Sequence, residues 1–224
     1  MLILSRSLRL FFRLLYHPFA WTYDLVSWTV SLGRWNDWVE KVIPFIQGTR
    51  VLELGHGPGH LQRILRDWGL LSIGLDESRQ MGFLAKRNLS RSGYTQNGLI
   101  RGLGQALPFP SGTFETVVAT FPTEYIFKAR TLSEAHRVLA IGGRLIVLPV
   151  VWVTGSGLLD RAAAWLFRVT GQAPSELSRE AAKRMVEPFI QVGFQVQTEQ
   201  LEVKSSLVLI VIAEKNGNYV QKTS

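Results

Sequence analysis

Short apolar runs alternate with helix-forming stretches along most of the chain, and this alternation limits the fold more than any other feature. Apolar runs of β type occupy residues 50–54, 70–76, 98–103, 114–121 and 144–151. Residues 58–68, 78–89 and 132–140, which lie between them, have the spacing of amphipathic helices. We expect Gly142 and Gly143 to end the last of these helices. The pattern predicts an α/β fold with a mostly parallel sheet and helices on both faces.

The end of the chain has a different pattern. Two β-type segments, 194–203 and 206–214, follow each other closely and predict a C-terminal antiparallel hairpin at the sheet edge. A chain of 224 residues fits one domain. We expect a helical segment at 1–48 that acts as a cap, a main domain at 49–214 and a disordered polar tail at 215–224.

Composition excludes several classes of protein. With 46% hydrophobic and 19% charged residues, the chain is globular rather than disordered. It contains no cysteine, which excludes disulfides and thiolate chemistry and fits the cytoplasm. With only four histidines as well, no metal site is expected. The net charge of +8 predicts attraction to polyanions such as nucleic acid or anionic lipid.

The first twenty residues form a basic, apolar segment. Arg6, Arg9 and Arg13 are spaced to share one face of a helix, which Pro18 would end. Three arginines inside the run argue against a membrane span, and their order does not fit a secretory signal. Two interpretations stay open: a helix at the surface of an anionic membrane, which would place the protein on the inner face of that membrane, or a helix docked on the protein's own core.

Three glycines at alternate positions follow the first apolar run. Gly55, Gly57 and Gly59 would let a ligand contact backbone N–H groups where a helix begins. The spacing departs from the dinucleotide pattern G-x-G-x-x-G, and no phosphate loop follows. Asp76 ends the second run and can accept hydrogen bonds from both hydroxyls of a ribose. Glu53 would repel a phosphate but attract an ammonium group.

Four segments carry a family resemblance: "VLELGHGPG", "GLDESRQMGFLAKR", "RGLGQALPFPSGTFETVVATF" and "EAHRVLAIGGRLIVL". In order and spacing they resemble class I S-adenosylmethionine-dependent methyltransferases, in the branch that contains the ubiquinone and menaquinone C-methyltransferases. The resemblance covers about 100 residues, from Arg50 to Pro149. It implies a Rossmann-like seven-stranded sheet and S-adenosylmethionine as the cofactor.

The resemblance also implies the residues that bind the cofactor. They are Tyr23, Glu53, Gly55, His56, Gly57, Asp76, Glu77, Thr120 and Phe121. Glu53 would orient the methionine end, Asp76 would hold the ribose diol and Glu77 would lie beside the adenine. Thr120 and Phe121 would line the pocket near the sulfonium, and the tyrosine of the N-terminal segment would cap the cofactor.

One position departs from the family pattern. The branch usually has Gly-Asp-Ala-Glu before "LPF", where this chain has Gly102, Leu103, Gly104 and Gln105. Adenine recognition would then fall to the backbone around Gly104 or to Gln105. Losing one hydrogen bond costs about 1 kcal/mol, which would not abolish binding.

The segment after the fourth apolar run holds the candidates for catalysis. Glu124 and Tyr125 would lie at the carboxyl edge of the sheet, where ligands bind in open α/β folds. We expect a methyltransferase for a small apolar or amphipathic, lipid-like acceptor at a membrane surface. An RNA or protein methyltransferase is an alternative, although no nucleic-acid-binding module is appended. A non-catalytic relative that has lost its cofactor site is another, with Leu103 as its main support.

Overall fold

The computed structural model describes residues 34–95, 98–154 and 179–217, and for residues 179–184 it describes the backbone only. The predicted N-terminal helix and Tyr23 lie outside these residues. So does the tail from residue 218 onward, whereas Lys215, the first residue assigned to that tail, belongs to the last strand.

The described residues form a seven-stranded sheet in the order β3-β2-β1-β4-β5-β7-β6. The strands are β1 (Arg50–Leu54), β2 (Leu71–Asp76), β3 (Leu99–Arg101), β4 (Phe114–Thr120), β5 (Leu139–Val153), β6 (Phe194–Val203) and β7 (Ser206–Lys215). The first five pair in parallel, and β7 is antiparallel to both of its neighbours. The Rossmann-like α/β fold with a C-terminal antiparallel hairpin is confirmed. The hairpin folds back so that β7 joins β5 and β6 becomes the edge.

Helices cover both faces of the sheet. They are α1 (Trp35–Val39), α2 (His60–Asp67), α3 (Arg79–Arg91), α4 (Ala129–Val138) and α5 (Arg179–Gln191), with 3-10 helices at Glu40–Phe45 and Glu124–Phe127. Each central strand sends alternate side chains to opposite faces. In β4, Val117 joins the core under α4 and α5, while Val118 joins the core under α1 and α2. Both faces are therefore buried, as the continuous apolar runs predicted.

The boundary between α4 and β5 differs from the expectation. The two glycines, Gly142 and Gly143, do not end the helix, because α4 ends at Val138 and β5 begins at Leu139. Gly142 has φ +76° inside the strand, where the pairing of β4 with β5 shifts register. A second irregularity interrupts the pairing of β5 with β7 between Val147 and Val150, around Pro149, which has no N–H to donate.

Candidate functional site

The carboxyl ends of β1, β2 and β4 meet at one edge of the sheet, and the glycine turn lies there. Gly57 follows β1 with φ +51°, a conformation that glycine adopts without steric cost. A Cβ atom at this position would find no other atom within 4 Å. The turn is therefore open on the side that a ligand would approach.

Asp76, the last residue of β2, holds this turn in place. Its Oδ2 accepts a hydrogen bond from the backbone N–H of Gly57 at 2.9 Å, and its Oδ1 accepts one from Ser78 at 2.8 Å. Ser78 in turn caps α3 by accepting from the N–H of Met81. A carboxylate has about four acceptor sites, so each oxygen of Asp76 keeps one for a ligand hydroxyl.

Glu53 is buried next to the turn, with 2% of its surface exposed. Its Oε2 accepts from Nε2 of Gln62 at 2.8 Å, and Oε1 of Gln62 accepts from the hydroxyl of Ser72 at 3.1 Å. Burial raises the pKa of Glu53 to about 8, and the charge of Asp76 adds to the rise, while the bond from Gln62 opposes it. A cation bound beside Glu53 would favour its ionised form.

His56 fills the space between the turn and β2. It is 4% exposed, and its Nδ1 lies 2.7 Å from the carbonyl oxygen of Gly57, which it can reach only as a donor. A Cβ atom on Gly74 of β2 would approach the side chain of His56 to 3.0 Å. Burial lowers the pKa of His56 and favours the neutral ring. His56 thus packs between the glycine turn and β2 and supports the turn.

Tyr125 lies across the start of the turn. Its hydroxyl donates to the carbonyl oxygen of Leu54 at 3.0 Å. A Cβ atom built on Gly55 would come within 2.6 Å of that hydroxyl, and one on Gly104 would contact the ring at 3.5 Å. The structure therefore brings together Gly55, Gly104 and Tyr125, three residues that lie far apart in the sequence.

Thr120 and Phe121 stand at the end of β4, as predicted. Phe121 has φ +48°, which is unusual for a bulky residue and is often found at binding sites. Its N–H donates to Leu148 on β5 at 2.8 Å. Its ring lies 4.4 Å from Trp35 and 6.3 Å from Trp38, centroid to centroid, so it packs against α1. This contact builds an aromatic wall beside the carboxyl edge.

Other residues singled out from the sequence lie in the segments that follow β2, β3 and β4. Gln105 lines a separate cavity with Arg130 and Glu134, and its carbonyl accepts from Arg130. Leu103 is 50% exposed. The side chains of Glu77 and Glu124 are exposed, and the backbone carbonyl of Glu77 accepts from Arg101.

A cavity of about 330 Å³ opens next to Asp76 and His56. Its wall includes Ser78 and four residues of α3, which are Arg79, Gly82, Phe83 and Lys86. Sequence reasoning missed Ser78 and also Gln62, the partner of Glu53. A signal existed for Gln62, because it is a polar residue between the apolar Leu61 and Leu65 on the face that α2 buries.

Comparison with known families gives a specific match. A family model described as a methyltransferase domain matches residues 52–147. The chain is 32% identical over 147 residues to the ubiquinone/menaquinone biosynthesis C-methyltransferase of Stenotrophomonas maltophilia, covering 60% of this chain and 56% of that protein. It is 33% identical to the demethylmenaquinone methyltransferase of Symbiobacterium thermophilum, covering 61% and 57%. The chain thus spans little more than half the length of these relatives.

Solved structures share the fold. A candidate S-adenosyl-L-methionine-dependent methyltransferase from Methanococcus maripaludis superposes with a TM-score of 0.66 at 19% identity, over 90% of this chain and 94% of that one. The cyclase SpnF superposes with a TM-score of 0.57 at 18% identity, over 82% and 81%. At such identities the likeness shows the fold alone, and the second protein shows that this fold also serves cyclisation.

Two kinds of feature are absent from the described residues. No helix among residues 34–95, 98–154 and 179–217 is long and apolar enough to cross a membrane. Within the same ranges, no group of three or more histidine, aspartate or glutamate side chains is arranged to hold a metal ion.

Proposed function

We propose that this chain transfers a methyl group to a small acceptor. The reason is that it belongs to the class I S-adenosylmethionine-dependent methyltransferases, in the branch of the ubiquinone and menaquinone C-methyltransferases. The acceptor is apolar or amphipathic. The observation that carries the proposal is the glycine turn held by Asp76 above the buried Glu53.

The residues at the turn fit the cofactor, which is S-adenosylmethionine. Gly57 faces open space, and Asp76 keeps acceptor sites for the two ribose hydroxyls. Glu53 lies close enough to Asp76 for their charges to interact, and its carboxylate would attract the ammonium group of the methionine end. Gly55, His56 and Gly57 would present backbone to it, with Thr120 and Phe121 near the sulfonium. Glu77, Gly104 and Gln105 remain proposals for the adenine end.

When bound, S-adenosylmethionine supplies a methyl group that is already activated by its positive sulfur. The protein then needs chiefly to hold the acceptor in line and to exclude water. Tyr125 would position the turn, since its hydroxyl already donates to Leu54. Glu124 is exposed beside it and would take the acceptor's proton.

The acceptor side of the edge is aromatic. Trp35 and Phe121 stack there, and a planar apolar ring would pack against them. The names of the two curated relatives, which place them in quinone biosynthesis, support an acceptor of this kind. A cytoplasmic protein with a basic, apolar N-terminal segment would meet such an acceptor at the inner face of a membrane.

Asp76→Ala tests the proposed function. The variant should lose two charge-assisted hydrogen bonds to the ribose, so that cofactor affinity and methyl transfer fall by about 100-fold. Binding is measured by calorimetry with S-adenosylhomocysteine, and transfer by the mass of a metabolite in lipid extract that gains one methyl group. Asp67→Ala is the control, because Asp67 pairs with Arg63 on the surface. It should stay within about twofold of the wild type.

Three results would overturn the proposal in different ways. If the wild type bound no S-adenosylhomocysteine, the chain would be a non-catalytic relative. If it bound the cofactor but methylated RNA or protein instead of the extract, the acceptor class would be wrong. If Asp76→Ala, shown by its thermal transition to be folded, bound and transferred like the wild type, the assignment of the site would be wrong.

A further inference from the structure

The solvent face of α3 is basic and has an aromatic residue in its middle. The helix has four cationic residues, Arg79, Lys86, Arg87 and Arg91, and no acidic residue. All four are exposed or partly exposed. Phe83 lies among them and is 63% exposed, far more than a phenylalanine in a core.

Helical geometry puts these residues on one side. Met81, Ala85 and Leu89 are the buried residues of α3, and they fix its inward face. Steps of about 100° per residue then bring Phe83 and the cationic residues to the outward face. The Arg79 guanidinium lies 5.5 Å from the ring centre of Phe83. Arg101 on the neighbouring strand β3 adds a fifth exposed cation.

These charges are not neutralised within the described part of the chain. The ion pairs found there use other cations, which are Arg50, Arg63, Arg137, Arg144 and Lys204. In the described ranges, no acidic side chain pairs with a cation of α3. The face therefore presents its positive charge to a partner beyond the described residues.

We propose that the outward face of α3 docks on the surface of an anionic lipid bilayer. The negative charge of a bilayer lies in a flat plane. A convex helix face can rest on such a plane, so that its spread cations contact the anionic headgroups. Phe83 would enter the boundary between headgroups and acyl chains. Single-stranded nucleic acid is the weaker match, because its binding sites stack successive bases on several aromatic rings, whereas α3 has one aromatic residue, Phe83.

Docking in this orientation would bring the cofactor edge close to the lipid. α3 begins directly after Asp76 and Ser78, and its Arg79, Phe83 and Lys86 also line the cavity beside Asp76. An amphipathic acceptor could then pass from the bilayer to the site. The proposal itself does not depend on methyl transfer, since vesicle binding can be measured without cofactor.

Single-cysteine labelling tests the contact directly. The chain has no cysteine, so Phe83→Cys gives one labelling site for an environment-sensitive fluorophore. Trp68→Cys is the matched control, because Trp68 is a 67% exposed aromatic residue at the end of α2. With vesicles of about 30% phosphatidylglycerol in phosphatidylcholine, the label at 83 should shift to the blue and be quenched by brominated lipid. The label at 68 should not respond.

A charge variant gives the second measurement. The variant Lys86→Gln/Arg87→Gln/Arg91→Gln removes three cations. Its affinity for the same vesicles, measured by flotation, should fall on the order of 100-fold. The control Arg50→Gln/Arg63→Gln/Lys204→Gln removes three charges from surface ion pairs and should change flotation much less. Both variants keep the buried face of α3 intact.

The proposal is wrong if the labels at 83 and 68 respond alike or if neither responds. It is also wrong if the two charge variants float equally well. A label at 83 that responds to single-stranded RNA but not to vesicles would assign the face to nucleic acid. Pure phosphatidylcholine vesicles should give no response in any case, since they lack the anionic charge.

Discussion

Two acids at the ends of neighbouring strands differ in how they are solvated. Asp76 accepts backbone hydrogen bonds at both oxygens and lines the cavity. Glu53 is buried with one neutral partner, Gln62, so its charged form is poorly stabilised without a ligand. This difference makes Glu53 the residue whose ionisation should respond to a bound cation.

Stability should therefore fall as the pH rises. The pKa of Glu53 is about 8 in the folded protein, against an ordinary value of 4.5 for a glutamate in water, so the folded state holds its proton more tightly. The resulting stabilisation is fully present below pH 4.5 and is lost as the pH rises through 8. Glu53→Gln should remove this slope and raise stability at about pH 8.5 by a few kcal/mol. Urea unfolding at about pH 5.5 and about pH 8.5 measures both effects.

Glu199→Gln is the control for this measurement, since Glu199 is exposed on the edge strand. It should leave the pH dependence of unfolding unchanged. If Glu53 binds the ammonium group of the cofactor as proposed, cofactor affinity should rise with pH in the wild type, by about tenfold from about pH 7 to about pH 8.5, because only the ionised carboxylate attracts that group. A pH-independent affinity in the wild type would contradict this role.

At the scale of elements, Tyr125 connects the segment after β4 to the turn after β1. The contact needs a glycine at position 55 for two reasons, the φ of +74° and the hydroxyl 2.6 Å from where a Cβ would lie. Gly57 shares the first reason but not the second, because its surroundings are open. Comparing substitutions at Gly55 and Gly57 therefore distinguishes the cost of backbone strain from the cost of the steric contact with Tyr125.

A double-mutant cycle uses that difference. Gly55→Ala should cost about 2 kcal/mol or more, and Tyr125→Phe about 1 kcal/mol for its lost hydrogen bond. Combined, they should cost about 1 kcal/mol less than the sum, since the ring without its hydroxyl leaves room for the methyl group. Gly57→Ala with Tyr125→Phe should be additive. Denaturant unfolding measures all of these, and an additive first cycle would refute the contact.

Elements were easier to predict from the sequence than their arrangement. The strands of the parallel half were predictable within a few residues, because buried parallel strands are continuous apolar runs. The boundary at Leu139 was not, since the residues on both sides of it are apolar and Gly142 lies inside the strand. The insertion of β7 beside β5 depends on pairing between distant segments, which periodicity does not encode.

The candidate site was predictable to the same extent. Asp76 and the glycines follow from local spacing after a strand. The positions of Gln62 and Tyr125 follow from packing between elements, so the expectation that Tyr125 takes part in catalysis did not foresee its bond to Leu54. Gln105 stays a proposal for the adenine end, and its backbone carbonyl accepts a hydrogen bond from Arg130.

At the scale of the whole molecule, ligand binding should stabilise the fold. S-adenosylhomocysteine at about 100 times its dissociation constant adds about 2.7 kcal/mol, which corresponds to about 5 to 10 °C in Tm for a chain of this size. NAD is the matched control, since the turn lacks the dinucleotide spacing. Thermal unfolding should show no shift with NAD. An equal shift with both ligands would mean that the site reads only the adenosine they share.

The reversed direction of β7 decides where additions to the chain can be attached. Its first residue, Ser206, pairs with Val153 at the cofactor edge, whereas Lys215 lies at the far edge and reaches the carbonyl of Leu139. A strand of ten residues is about 30 Å long. A reporter or affinity tag fused after β7 would thus lie at the edge of the sheet opposite the proposed cofactor site. A protein immobilised through such a tag should keep the proposed site accessible.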